Sequence, residues 1–159
     1  LPVKRYEFLS TWVLAAPRSQ VWSAIEDASA WPEWWRGVVS SEELERGSDN
    51  GVGRRYRVRW RSFIPYVLEF DFAVDEADAP AYMAGRATGE LEGTGVWRLH
   101  EDRGVTVVTY DWRVGTAIRW MNLVAPVARP IFRWNHDWVM ARGGEGLAER
   151  IGARLIAST

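Results

Sequence analysis

Asn135 and His136 are the polar pair whose residue types and placement point most directly to chemistry. On a helical wheel they fall about 60° and 40° to either side of Phe132, so both flank an apolar stripe. The Asn135 amide can both donate to and accept from a ligand carbonyl or hydroxyl. His136 adds an imidazole, which can serve as a general base near neutral pH. The plainer account of His136 is a helix-border histidine that meets solvent or Asp137. Tyr56 and Tyr110 share the parity of the apolar residues in their strands, so each hydroxyl needs a partner inside, at a cavity mouth or at a buried water. Arg86 and Glu90 share a face opposite Met83, Ala87 and Leu91. They reach the interior as an ion pair only if that strand bulges.

Most other chemistries are excluded by residue type. The chain has no cysteine and two isolated histidines, which removes disulfides, thiolates and an ordinary protein metal site. No cofactor is expected. Gly51-Val52-Gly53 and Gly93-Thr94-Gly95 lack the strand-loop-helix setting of a dinucleotide loop and read as turns. No serine elbow, phosphate loop or pair of carboxylates on an apolar face is present. The arginine run Arg54–Arg61 is tempting as a nucleic-acid surface. However, Arg55, Arg57, Arg59 and Arg61 alternate with apolar residues, and Glu69 and Asp71 on the next strand can answer them. A net charge of −1 also lacks the basic excess that nucleic acid demands.

With 159 residues, 47% hydrophobic and 26% charged, the chain has the composition of a folded globular protein, expected as one domain over 1–159. No apolar run approaches the ~18–20 residues of a membrane span. Leu1–Ser10 carries Lys4, Arg5 and Glu7 in place of an apolar signal core, and a cytoplasmic location is expected. The unusual number is 11 tryptophans, far more flat apolar surface than a domain this size ordinarily needs.

Alternation identifies the elements that must position the polar candidates. Tyr6 to Ala15 reads as a strand. Pro17 then opens a short helix carrying Val21, Trp22 and Ile25, and Pro32 sits in the first turn of a second one within Ala28–Arg36. Val38–Arg46 follows as a strand. Tyr56, Val58 and Trp60; Leu68, Phe70, Phe72 and Val74; Trp97 and Leu99; and Val108, Tyr110, Trp112 and Val114 each alternate with charged residues. Such runs are strands of an antiparallel sheet with one wet face. Met83–Leu91 is a further strand, bent at Gly85 and Gly89. Turns are expected at Ser62–Pro65, Ala77–Pro80, Glu92–Thr94 and Glu101–Gly104. From Trp120 to Leu155, apolar or small residues recur every three or four positions, predicting one long helix whose main part starts near Arg129–Pro130 after a helical or kinked lead-in from Trp120. Gly143, Gly144 and Gly146 would let something bulky approach it closely.

The order β-α-α-β6-α, about seven antiparallel strands curved around a long C-terminal helix, makes this an α+β chain. It resembles the helix-grip fold of the START-like, Bet v 1-like or SRPBCC superfamily, and most closely its bacterial polyketide cyclase/dehydrase branch. The resemblance rests on Ala16-Pro17-Arg18-Ser19-Gln20-Val21-Trp22, Trp31-Pro32-Glu33-Trp34-Trp35, Gly93-Thr94-Gly95-Val96-Trp97 and the last helix. It implies a cavity between sheet and helix. Walls for it are Trp60, Phe70, Phe72 and Met83, then Trp97, Tyr110, Trp112, Phe132 and Asn135, with Tyr56 also a ligand contact. Any single one of these rings is more simply core. The small residues Gly85, Ala87, Gly89, Ala128 and Gly143 among them favour open space.

Binding of one hydrophobic small molecule, a lipid or polyketide-like compound, is the leading expectation, with Asn135, Tyr110 and Tyr56 orienting it. Ser62–Pro65 and Ala77–Pro80 would gate the opening. The alternative is a polyketide cyclase or aromatase/dehydratase with His136 as base. A third reading is an interaction module with a filled core, using Trp134 and Trp138, which can equally pack on the early helices.

Overall fold

Alternating parity dictates a sheet with a dry and a wet side, and the described residues build one. The computed structural model describes residues 5–62, 66–116, 119 and 123–159. Its strands are β1 (Arg5–Leu14), β2 (Val38–Glu45), β3 (Arg55–Arg61), β4 (Val67–Asp78), β5 (Tyr82–Gly89), β6 (Leu91–Asp102), β7 (Val105–Thr116) and β8 (Leu155–Ser158). They form one eight-stranded sheet in the order β2-β3-β4-β5-β6-β7-β1-β8, and every described pairing is antiparallel. Between β1 and β2 come α1 (Arg18–Glu26), a 3-10 turn (Ala28–Ala30) and α2 (Trp31–Trp34). The long helix α3 runs from Ala125 to Ile151.

Register decides which face is wet. Arg57 lies directly opposite Asp71 and Arg59 opposite Glu69, with ion pairs of 2.9 Å and 3.4 Å. Arg55 joins at 3.0 Å from Asp71. The Arg57 hydrogen bond, ahead of the charges of Arg57 and Arg55, holds the Asp71 carboxyl below its usual range. Tyr56, Val58, Phe70, Phe72, Trp97, Val108, Trp112 and Val114 occupy the other face and are buried. The arginine ladder is therefore a solvated, charge-balanced face of the sheet.

The sequence expectations fail at three boundaries, each for a local reason. The last helix does not reach Leu155. Gly152 takes a left-handed conformation (φ 66°) and caps it, after which Leu155–Ser158 pairs with β1 as an eighth strand. Nor does its main part wait for Arg129–Pro130; of the helical or kinked lead-in expected from Trp120, residues 120–122 lie outside the described ones. It starts at Ala125 with Pro126 in its first turn, and Pro130 lies inside it, giving up the one amide that would bond back to residue 126. The third is the turn placed at Glu92–Thr94, which is strand. The chain reverses instead at Gly89, which has φ 112°, and Gly93 and Gly95 sit opposite Val114 and Trp112 within β6–β7. A Cβ on Gly95 would lie 2.8 Å from the Trp112 ring, so these glycines serve close approach within the sheet.

The glycines of α3 do the same on a larger scale. A Cβ at Gly143 would lie 2.5 Å from Trp35 and 2.8 Å from Trp12, and one at Gly144 2.9 Å from Trp12. At Gly146 it would collide with the backbone carbonyl of Trp34. The close approach lets two indoles reach the helix backbone: Trp12 Nε1 donates to the Met140 carbonyl at 3.0 Å, and Trp35 Nε1 to that of Val139 at 2.9 Å. Those carbonyls lie four residues before Gly144 and Gly143. Trp35 also packs edge-on against Trp12 and Trp60, with centroids 5.4 Å and 4.9 Å away. Much of the tryptophan surplus is thus a cluster that wedges the first half of the chain onto the C-terminal half of α3.

Candidate functional site

The face of α3 that carries Phe132, Asn135, His136, Val139 and Met140 looks onto the dry side of the sheet and encloses a cavity of about 200 Å³. The spacing i, i+3, i+4, i+7, i+8 is what brings five side chains to one side of a helix. Opposite them, β3, β4, β6 and β7 supply Trp60, Phe70, Trp97, Tyr110 and Trp112. Trp31 and Trp35 close one end. Near His136 stand Tyr6 and Phe8 from β1: Phe8 stacks on the His136 ring with centroids 4.0 Å apart, and Tyr6 meets Phe132 edge-on at 5.8 Å. Tyr110 is sandwiched between Trp97 (4.0 Å) and Trp112 (5.5 Å) in a nearly parallel stack.

The cavity wall is apolar, yet it holds polar atoms that find no partner among the described residues. The Tyr6 hydroxyl, Trp60 Nε1 and both ring nitrogens of His136 are buried without a hydrogen-bond partner, and all three residues border the cavity. His136 Nδ1 is 3.7 Å from an Asp137 carboxylate oxygen, beyond hydrogen-bond range. Burial is the dominant influence on this imidazole and lowers its pKa to about 4, against the opposing pull of Asp137. His136 is therefore neutral at physiological pH, with one donor and one acceptor. Burial likewise pushes the Tyr110 phenol well above its ordinary value, so it stays protonated. Leaving a buried polar group unpaired costs roughly 1–3 kcal/mol, so such groups are usually occupied.

Among the described wall residues there is no carboxylate, lysine or arginine. Arg86 and Glu90 form no ion pair inside: Arg86 binds Asp75 at 2.8 Å on the exposed face, while Glu90 accepts from the Tyr66 hydroxyl at 3.0 Å and the Glu69 amide at 2.8 Å. No group of three or more potential metal-ligating side chains occurs among the described residues.

Of the residues named from sequence, Trp60, Phe70, Trp97, Tyr110, Trp112, Phe132, Asn135 and His136 meet around the cavity. Tyr56, Phe72 and Met83 do not. Tyr56 is buried within reach of Arg54, Glu43 and Asp27, towards the end of α1. The Phe72 ring fills the space that Gly85 leaves, 2.6 Å from where a Cβ would stand. Met83 pairs across the sheet with Trp97. Asn135 is already engaged, accepting from the Ser62 hydroxyl. Of the expected gates Ser62–Pro65 and Ala77–Pro80, Ser62 borders the cavity, residues 63–65 lie outside the described ones, and Ala77–Pro80 is not on the wall; Tyr66, just past the first gate, does border it. The small residues contribute less open space than expected, since rings occupy the places beside Gly85 and Gly143.

Sequence reasoning missed Tyr6, Phe8, Trp31 and Trp35. Tyr6 and Phe8 shared the apolar parity of β1, and that parity was the available signal. Trp134 and Trp138 separate: Trp138 is half-buried beside Gly37, with Arg36 and Arg142 over its ring at 5.9 Å and 5.6 Å, whereas Trp134 is exposed.

A curved antiparallel sheet closed by one long helix over an apolar cavity defines the helix-grip class. Residues 7–155 match the family model for polyketide cyclase / dehydrase and lipid transport, and the chain belongs to that family. No curated protein sequence matches it significantly. Among solved structures it is similar to the Zhui aromatase/cyclase from Streptomyces sp. R1128, with TM-score 0.73 and 19% identity over 94% of each chain. It also resembles the di-domain aromatase/cyclase BexL of the BE-7585A biosynthetic pathway, with TM-score 0.75 and 19% identity over 96% of this chain but only 52% of that one. The chain thus spans about half of BexL. A START superfamily protein from Mycobacterium smegmatis gives TM-score 0.73 at 16% identity, over 92% of this chain and 97% of the other. Identities this low speak for the fold.

Proposed function

We propose that the cavity binds one uncharged, mostly apolar small molecule that carries a carbonyl or hydroxyl oxygen. The observation that supports this is the convergence of three unpartnered buried polar side chains, Tyr6, Trp60 and His136, on a single apolar space. Tyr6 and Trp60 offer donors, and neutral His136 offers either role. The wall rewards burial of ligand carbon at roughly 25 cal/mol per Å², and its described residues carry no charge to neutralise an ionised group. An apolar cavity of about 150 Å³ takes benzene. A volume of about 200 Å³ therefore suits a ligand whose buried part is one or two rings or a short branched chain. Tryptophan quenching tests the reading: titration with neutral ring ketones and phenols should saturate at one ligand per chain, and Tyr6→Phe should weaken binding several-fold. Failure to quench across a broad panel, with native mass spectrometry finding no bound ligand, would remove it.

A second reading follows from the position of His136 and from a family description that includes cyclisation and dehydration. Here His136 would take a proton from a bound polyketone while Tyr110 polarises a carbonyl. An imidazole held near 4 accepts protons weakly, which favours binding over turnover. The two separate on His136→Gln: loss of cyclised product with ligand affinity retained supports catalysis.

A further inference from the structure

The outer side of the N-terminal part of α3 is apolar. Leu123 is 75% exposed, Val127 81%, Ile131 47% and Trp134 63%, with Val124 beside them. Within α3, Val127, Ile131 and Trp134 fall within an arc of about 60° at 100° per residue, and Leu123 and Val124 immediately precede its first turn. Residues 117–136 contain three arginines, Arg119, Arg129 and Arg133, and no aspartate or glutamate, in a chain whose net charge is −1. All three arginines are exposed. Arg129 also reaches β1, donating to the Arg5 carbonyl at 3.3 Å and lying 5.4 Å over the Tyr6 ring. The inner side of the same turns is Phe132, Asn135 and His136, on the cavity wall.

We propose that this outer face docks on an anionic lipid surface. The helix lies in the interface plane, with its aliphatic side chains and Trp134 at the boundary between headgroups and acyl chains. The arginines lie at the lipid phosphates. An apolar face with a tryptophan and a cationic flank is the composition such helices need. Charge selects lipid over a second copy of the chain: two such faces in contact would bring their arginines together, with no carboxylate in the segment to answer them. The nearest acid along the helix is Asp137, one residue beyond. This docking stands apart from ligand binding in the cavity.

The test is co-sedimentation of the full chain with large vesicles of phosphatidylcholine alone or mixed equally with phosphatidylglycerol. Binding should be strong only to the anionic vesicles and should fall as salt rises. Ile131→Ser with Trp134→Ser should lower it roughly tenfold or more. Arg119→Gln with Arg133→Gln should lower it about fivefold per arginine. Both variants should keep the wild-type near-ultraviolet circular dichroism and the ligand-induced quenching from the cavity. Three results would overturn the proposal: no sedimentation with anionic vesicles, equal binding by the Ser variant, or a dimer that the Ser variant abolishes while vesicles remain unbound. Vesicle binding without cavity quenching would leave it standing and count against the ligand reading alone.

Discussion

The two halves of α3 solve opposite packing problems. From Val139 to Ile151 the helix is clamped: glycines admit Trp12, Trp34 and Trp35 to its backbone, two indoles bond its carbonyls, and Arg150 pairs with Glu33 at 2.9 Å. From Leu123 to Trp134 most described residues are exposed, and inward contact rests on Phe132, followed by Asn135 and His136. One half is held by close contact with the tryptophans, although its first residues, Val139 and Met140, still face the cavity. The other is the wall of a cavity, and a wall around empty space has fewer partners by necessity. The contrast teaches that a single continuous helix can be both anchor and lining if its glycines are confined to one end.

Breaking the anchor should cost most. Gly146→Val places side-chain carbon against the Trp34 carbonyl, and Gly143→Val drives it into two indole rings. Each should destabilise by about 3 kcal/mol or prevent folding, read by urea unfolding. Acid should act next, through the lining. His136 has a folded pKa of about 4 against an ordinary value of 6.5, so between these values the unfolded chain binds the extra proton. Stability is complete above about pH 6.5 and falls as pH drops towards 4, by about 3 kcal/mol at most. Replacing His136 with Phe should remove that share of the acid sensitivity, as urea midpoints at pH 4.5 and 7 would reveal. A smaller effect of opposite sign is expected for Tyr6→Phe. It deletes an unpartnered buried hydroxyl and should raise the stability of the ligand-free protein by about 1 kcal/mol while weakening ligand binding. Smallest of all, Ile131→Ser on the outer face should change stability by no more than about 0.5 kcal/mol. If Ile131→Ser costs as much as Gly146→Val, the two halves are not different in kind.

The parts of this fold legible in the sequence were those where one face is wet. Arg57 and Asp71 alternate with Tyr56, Phe70 and Phe72 because water lies on one side of the sheet, and that alternation needs no tertiary knowledge. The end of α3 was misread because Leu155 continues the spacing from Ile151. Gly152 was the stop signal, and the strand after it exists only through its pairing with β1. The cavity was harder. Trp60 and Phe72 have the same parity and much the same chemistry, and which of them meets open space depends on whether a ring such as Phe72 finds a glycine to fill. Tyr6 and Trp35 were hard to place on the wall because their partners there, Phe132 and Val139, lie over 100 residues along the chain.

The tryptophan wedge also has an optical consequence. Trp12, Trp31, Trp34, Trp35, Trp60 and Trp97 form a connected set of rings, with Trp12–Trp97 and Trp31–Trp35 centroids 5.6 Å and 5.1 Å apart. At such separations excitation absorbed by one indole passes to its neighbours faster than it is emitted. The group behaves as one antenna, and Trp31, Trp35, Trp60 and Trp97 bring it to the cavity. A single bound molecule that quenches any one of these rings darkens the whole set.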